Sequence, residues 1–146
     1  MLVRLAFSIG LLFSLPCFSQ AVTTPPSVKE VATFAALLQR AADVHPDATL
    51  NQREEDGAIS ALRLGPADAA TFRSLAKAFN ARIKQWRQSE QAIVARAGGS
   101  LADSHRAEIA QIVKERDQTV NSLAAQFLLA ASREARANLQ RIVDGN

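Results

Sequence analysis

The short segment AGGS, residues 97–100, separates two long stretches in which apolar residues recur at helical spacing. Gly98 and Gly99 can adopt the left-handed backbone conformation that often ends a helix. Ser100 is a suitable N-cap for a following helix, and Asp103 is favourable in the first turn, where the helix dipole attracts negative charge. The segment therefore predicts a turn between two antiparallel helices, an αα-hairpin.

Each arm of this hairpin carries one apolar stripe. The first arm starts at Pro66, which suits the first helical position. The stripes contain Phe72, Leu75, Ala76, Phe79, Ile83, Trp86, Ile93 and Ala97 in the first arm, and Ile109, Ile112, Val113, Val120, Leu123 and Phe127 in the second. Residues at three- and four-residue steps share one helix face. The arms can therefore pack along one seam, with Phe79 opposite Val120 and Trp86 opposite Ile112.

These patterns predict an all-α fold built on a long antiparallel αα-hairpin, with arms at about 66–97 and 101–127 or beyond. The second arm either continues unbroken to the C-terminus or restarts as a new helix near Ser132. Long runs of β-branched residues are missing from the chain, and residues with good helix propensity are plentiful, so strands are not expected.

An additional helix is predicted before the hairpin, at about 28–44. Ser27 and Glu30 have the spacing of a capping box, and His45-Pro46 ends the apolar periodicity. The segment that follows is polar and predicts mainly irregular structure, with a short helix in EDGAISALRL, residues 55–64.

Residues 1–21 have the pattern of a secretory signal peptide. MLVR supplies a cationic start, LAFSIGLLFSL an apolar core, and PCFSQA a helix breaker followed by small residues. Cleavage after Ser19 and cleavage after Ala21 both fit. The apolar run is shorter than the roughly 20 residues of a membrane-spanning helix. Residues 22–146 are then expected to form a single helical domain, periplasmic or secreted, without a transmembrane segment.

The chain contains one cysteine, Cys17, which lies within the predicted signal peptide. Lipidation at Cys17 is an alternative to cleavage, disfavoured because Leu15 and Pro16 precede the cysteine where a small residue is usual. After cleavage the domain has no thiol, so its stability must come from a hydrophobic core or from association with another chain.

The composition favours a folded, mildly basic protein. Of 146 residues, 48% are hydrophobic and 21% are charged, and 17 Lys and Arg residues face 14 Asp and Glu residues. This excess is well below the charge density of a dedicated nucleic-acid binder, and one Trp with no Tyr gives no aromatic platform for stacked bases. Specific nucleic-acid binding is therefore not expected, whereas anionic surfaces remain possible partners.

The stretch FRSLAKAFNARIKQWRQ, residues 72–88, contains five basic residues and no acidic residue. On a helix, the apolar stripe has basic residues along both of its edges. The basic residues are Arg73, Lys77, Lys84 and Arg87 on one edge, together with Asn80, and Arg82 on the other. One interpretation is a solvated flank whose aliphatic stems cover the seam. The other is a binding site for an anionic or amphipathic partner: a membrane surface, an envelope polymer or an unfolded protein.

Few residues suggest catalysis or metal binding. Glu90, His105 and Arg116 fall on the seam, where Glu90 and His105 are expected to form a partly exposed pair. Asp43, His45 and Asp47 precede the acidic trio at 54–56, but their spacing fits no standard metal-ligand pattern. No Gly-rich phosphate loop and no nucleophile elbow is present. A non-enzymatic protein without a cofactor or metal is therefore expected.

Two helix starts resemble those of the small periplasmic helical proteins of the Spy/CpxP type, which carry LTxxQ motifs. They are Leu64-Gly65-Pro66-Ala67-Asp68 and Leu101-Ala102-Asp103-Ser104-His105. Gly65 and Ala102 stand at the Thr position, and Asp68 and His105 at the Gln position. Over residues 27–127 the resemblance implies an antiparallel homodimer whose concave, basic and partly apolar face binds unfolded envelope proteins or takes part in stress sensing.

The sequence as a whole predicts an exported helical binding protein, chaperone-like or related to envelope stress, that uses its basic edge. The alternative is a structural or assembly protein whose hairpin packs against a dedicated partner helix. Either function requires a protein partner or self-association.

Overall fold

The computed structural model describes residues 24–43, 48–98 and 100–145, and this part of the chain is all-α, as predicted. Its five helices are α1 (Val28–Ala42), α2 (Ala48–Ala61), α3 (Pro66–Arg96), α4 (Asp103–Ala130) and α5 (Arg133–Val143). The predicted signal peptide lies outside the described residues. None of the described helices is both long and apolar enough to span a lipid bilayer.

Helices α3 and α4 run antiparallel as the two arms of a hairpin. Arg82 of α3 forms an ion pair with Glu115 of α4 at 3.3 Å. Asp68, at the start of α3, accepts a hydrogen bond of 2.6 Å from Ser132, just beyond the end of α4. At the turn, Gly98 has a φ of 57°, which is the left-handed conformation that its sequence context predicts.

The start of α4 differs from the prediction, because Ser100 is not its N-cap. The backbone N–H of Ser100 donates to the carbonyl of Ala97 and so belongs to the turn. Helix α4 begins at Asp103, preceded by Ala102 in an extended N-cap conformation without a side-chain cap. Gly99, the second predicted turn glycine, lies outside the described residues.

The chain restarts as a new helix after α4 instead of continuing unbroken. The hydroxyl of Ser132 caps α5 by accepting a hydrogen bond from the N–H of Ala135 at 3.2 Å. The same hydroxyl donates to Asp68, in the first turn of α3. One carboxylate thus lies at the N-termini of two helices, where both helix dipoles favour a negative charge.

Helix α1 packs against all four other helices and fills the open end of the hairpin. The ring of Phe34 stacks on Phe127 of α4, with 4.4 Å between centroids, and meets Phe72 of α3 edge-on at 5.7 Å. Leu38, one turn further along α1, is completely buried. With 15 residues against the 31 of α3, α1 is about half as long, roughly 22 Å against 46 Å. The end of the hairpin nearest the turn therefore extends beyond α1.

The C-terminus of α1 lies slightly earlier than predicted. The helix ends at Ala42, and Asp43 is an extended C-cap. The side-chain amide of Asn80 donates a hydrogen bond of 2.8 Å to the carbonyl of Ala42, which satisfies one acceptor of the last turn. His45-Pro46, which was expected to end the helix, lies outside the described residues.

The segment before the hairpin contains the expected helix within residues 55–64, but the irregular structure predicted before it was wrong, because α2 already begins at Ala48. Ala58 and Leu62 are buried in the core. The acidic trio at 54–56 pairs with Arg40 of α1 and Arg73 of α3. These contacts come from other helices and stabilise a segment whose own apolar periodicity is weak.

The C-terminus of α2 forms a Schellman motif with an arginine at the left-handed position. The N–H of Leu64 donates to the carbonyl of Ile59, and the N–H of Arg63 donates to that of Ser60. Arg63 has a φ of 47°, a conformation that costs most residues with a side chain about 1 kcal/mol and costs glycine almost nothing.

The substitution Arg63→Gly should therefore raise the free energy of unfolding by about 1 kcal/mol, measured by urea denaturation. Arg63 is exposed, so little packing is lost. The matched control is Arg53→Gly, at an exposed position inside α2, which should lower stability by about 1 kcal/mol. Equal destabilisation by both changes would contradict the prediction.

Helix α5 is attached to the start of α1 by a nearly buried ion pair. Ser27 and Glu30 form the predicted capping box, and the Glu30 carboxylate lies 3.6 Å from the guanidinium of Arg136. Arg136 also donates to the carbonyl of Thr24 at 2.6 Å. Burial raises the pKa of Glu30, but the hydrogen bonds from Ser27 and the charge of Arg136 outweigh burial, so the pKa lies below its ordinary value of 4.5.

The substitution Glu30→Gln should lower the free energy of unfolding by about 1 kcal/mol at neutral pH, because the charge pair is lost while the capping geometry is kept. The folded-state pKa is depressed, so this contribution is complete above about pH 4.5 and is lost as the pH falls through the folded-state value. Urea denaturation across this range should show the two proteins converging in stability in acid. The control Glu108→Gln, which breaks an exposed ion pair with Arg96, should change stability by no more than about 0.5 kcal/mol.

Candidate partner-binding site

The five predicted basic residues lie on the two edges of α3 that the sequence indicates. Asn80 and Arg87 contact the C-terminal end of α1, and Arg73 contacts α2. Lys77 lies with Arg73 beside the same helices. Arg82 lies on the opposite edge, facing α4. The structure therefore separates Arg82 from Arg73, Lys77 and Arg87, which lie toward α1 and α2.

Arg73 connects α3 to α2 through two carboxylates. Its guanidinium lies 3.1 Å from Glu55 and 3.2 Å from Asp56. A planar guanidinium can donate to two acceptors at once, and this geometry fixes the relative position of the two helices. Arg73 therefore has a structural role, because it joins α3 to α2.

Arg82 and Arg87 make comparable contacts with other parts of the chain. Arg87 lies 2.8 Å from Asp43, the C-cap of α1. Arg82 pairs with Glu115 of α4 and lies over the ring of Trp86, 5.4 Å from its centroid. The acidic residues that are missing from 72–88 are thus supplied by α1, α2 and α4, and three of the five cations are compensated by them.

Lys77 and Lys84 differ from the three arginines. Both are exposed, and neither has a hydrogen-bond or ion-pair partner among residues 24–43, 48–98 and 100–145. Lys77 borders a shallow groove of about 520 Å³ between α2 and α3, whose floor includes Ala41 and Ala76. The uncompensated positive charge of the basic edge is therefore concentrated at these two lysines.

A second groove, of about 480 Å³, lies where the C-terminal end of α1 meets the hairpin. Its lining residues are Ala36, Gln39, Arg40 and Asp43 of α1, Ile83, Trp86, Arg87 and Glu90 of α3, and Arg116 of α4. At the edge of this groove Arg40 donates a hydrogen bond of 3.1 Å to the carboxylate of Glu54, and this hydrogen bond raises the pKa of Arg40. Sequence patterns did not indicate this groove, because its existence depends on where α1 stops along the hairpin.

The three polar residues predicted on the seam have different surroundings. Glu90 and Arg116 line the second groove together. Within the described chain, the Nδ1 atom of His105 and the Nε atom of Arg116 are buried without a hydrogen-bond partner. No hydrogen bond joins Glu90 to His105 there, so the expected pair is not formed. The side chain of Arg116 is 33% exposed, and packing of its stem over the seam stays a prediction.

No group of three or more His, Cys, Asp or Glu residues in the described ranges has a geometry that could hold a metal ion. Asp43 is within these ranges and is paired with Arg87. His45 and Asp47, the other members of the sequence pattern, lie outside them.

The ion-paired Arg73 should contribute more to the stability of the fold than Lys77 and Lys84, which are unpaired within the described ranges. Arg73→Gln should lower the free energy of unfolding by about 0.5 to 1 kcal/mol in low salt, because two ion pairs between α2 and α3 are lost. Lys77→Gln and Lys84→Gln should change it by less than about 0.3 kcal/mol. Thermal denaturation monitored by circular dichroism measures the difference, which should shrink in high salt. Equal effects at all three positions would contradict this assignment.

Comparisons of the chain with protein-family models, with curated proteins and with solved structures give no match.

Proposed function

We propose that the protein is an exported, non-enzymatic helical binding protein that acts as a chaperone-like module on unfolded or anionic partners. The basic edge of α3 is the proposed contact surface. The observation that carries this proposal is the pair of exposed lysines, Lys77 and Lys84, whose charges have no counterpart in the described part of the chain.

The electrostatics of this edge suit transient capture. Arginines 73 and 87 are compensated by carboxylates of the fold, so the field that reaches solvent originates mainly from the two lysines. Exposed like charges attract an anionic partner over a Debye length, about 8 to 10 Å in ordinary buffers, and each contact is individually weak. The groove beside Lys77 adds polar contact from the exposed side chain of Gln52. Weak contacts of both kinds favour rapid binding and release.

The predicted signal peptide and the resemblance to Spy/CpxP-type proteins support a role in the periplasm or outside the cell. A cysteine-free domain is suited to an oxidising compartment, because it cannot form incorrect disulfides with its clients.

The test is a charge reversal with a matched control. Protein purified after expression of the full-length gene should slow the aggregation of an acidic client that has been unfolded by reduction of its disulfides. Lys77→Glu with Lys84→Glu should reduce this effect severalfold. The control, Lys29→Glu with Lys114→Glu, makes the same change in net charge at exposed positions on α1 and α4 and should keep the effect.

Two results would contradict the proposed contact surface. One is equal loss of activity in the two double variants, because net charge alone would then explain capture. The other is full activity of the Lys77 and Lys84 variant with unchanged helix content. Protection by the unmodified protein should also weaken as salt is raised from about 50 to 200 mM, since exposed charges are screened over this range.

The structural or assembly function is the second candidate, and a different observation favours it. The hairpin extends beyond α1, so part of its seam has no third helix against it within residues 24–43, 48–98 and 100–145. Purification of the protein with a single stoichiometric partner from its native envelope would favour this function over client binding.

A further inference from the structure

The part of the hairpin beyond α1 has a continuous face that no other described helix covers. We call it the distal face, and its residues are Glu90 and Val94 of α3 and Ile109, Val113 and Arg116 of α4. Glu90 and Arg116 border the groove at the end of α1. The remaining members follow from these two at helical spacing toward the turn.

The apolar part of the distal face is partly exposed. Val94 is 51% exposed, one of few large apolar side chains in the described chain with this much accessible surface. Ile109 and Val113 are only partly buried. At the other end of the same seam, where α1 is present, Phe72 and Phe127 are almost fully buried. This difference in burial shows that a further helix packed against the distal arms would bury more of their apolar side chains.

The polar part of the distal face is incompletely satisfied. The carboxylate of Glu90 has no hydrogen-bond or ion-pair partner within the described ranges. The Nε atom of Arg116 is buried without a hydrogen bond, and its nearest carboxylate is that of Asp117, 3.9 Å away. A charged group without a good partner costs free energy, and the side chain of Arg116 is 33% exposed, so a carboxylate from outside the described fold can approach its guanidinium.

We propose that a second copy of this chain occupies the distal face. The unsatisfied groups are one acid on α3 and one base on α4. An acidic partner would satisfy Arg116 and repel Glu90, and a basic partner would do the reverse. A two-fold axis that passes midway between the two residues places each opposite its counterpart in the other copy and satisfies both. The apolar residues Val94, Ile109 and Val113 then pack across the same axis.

This inference uses a different surface from the basic edge and does not depend on the proposed function. The face belongs to the distal arms only, so the interface is at the small end of the range for specific association. A dimer that dissociates at micromolar concentration is therefore expected, which leaves Lys77 and Lys84 accessible in both copies.

The symmetry provides a specific test. Protein purified after expression of the full-length gene should sediment as a dimer at roughly 100 µM. Glu90→Arg alone and Arg116→Glu alone should each sediment as monomers, because like charges then meet across the axis. An equimolar mixture of the two variants should restore a dimer. The two reversed residues, Arg at 90 in one copy and Glu at 116 in the other, then face each other with opposite charges, and so do the two unchanged residues.

Several results would overturn the proposal. They are a monomeric unmodified protein at this concentration, single variants that dimerise like the unmodified protein, and a mixture that stays monomeric. Circular dichroism on each variant shows whether it is folded.

If either charge variant loses helix content, a second pair of variants decides. Val94→Glu should abolish the dimer, whereas Leu129→Glu should retain it. Leu129 is 52% exposed, as Val94 is 51%, but lies near the base of α4. Retention of the dimer in both variants, or its loss in both, would contradict an interface on the distal face.

Discussion

The stacking of Phe34 between the arms of the hairpin is the contact on which the rest of the structure depends. Two helices alone bury only one seam, and a single seam leaves both of its sides partly open to water. By placing Phe34 against Phe72 and Phe127, α1 closes one side at the base of the hairpin. Large aromatic side chains supply much apolar area at a single position, so this contact anchors the core. Helices α2 and α5 then pack against α1.

Around this core, polar contacts determine where the shorter helices lie. Arg40 and Arg73 hold α2 from two sides, and Arg136 holds α5 to the start of α1. The buried amide of Asn138 donates to the carbonyl of Leu62 at 3.0 Å and so connects α5 to the end of α2. Many charged side chains of this basic chain thus form ion pairs with one another. The three arginines within residues 72–88 show this most clearly, because each pairs with a carboxylate outside α3.

The features predicted correctly from the sequence are those with local signals. The glycine at 98, the capping box at Ser27 and the long apolar stripes act over a few residues, and the hairpin and α1 follow from them. The carboxylates that pair with Arg73, Arg82 and Arg87 lie 18, 33 and 44 residues away in the sequence. Their positions depend on packing, which is why the basic edge looked uncompensated and α2 looked irregular. Sequence patterns also placed Arg116 on the seam, but the groove beside it depends on the length of α1.

The difference in length between α1 and the hairpin has a dynamic consequence. At the base of the hairpin, where α3 starts and α4 ends, the two arms and α1 form one core. Backbone hydrogen bonds in this region can break only when that core opens. Beyond Asp43, among the residues that the structure describes, the arms pack mainly against each other. Local opening requires less free energy where fewer apolar contacts are lost. In the isolated chain, amide protons should therefore exchange with solvent progressively faster from the base of α3 and α4 toward the turn, and the tip of the hairpin can separate while its base stays folded.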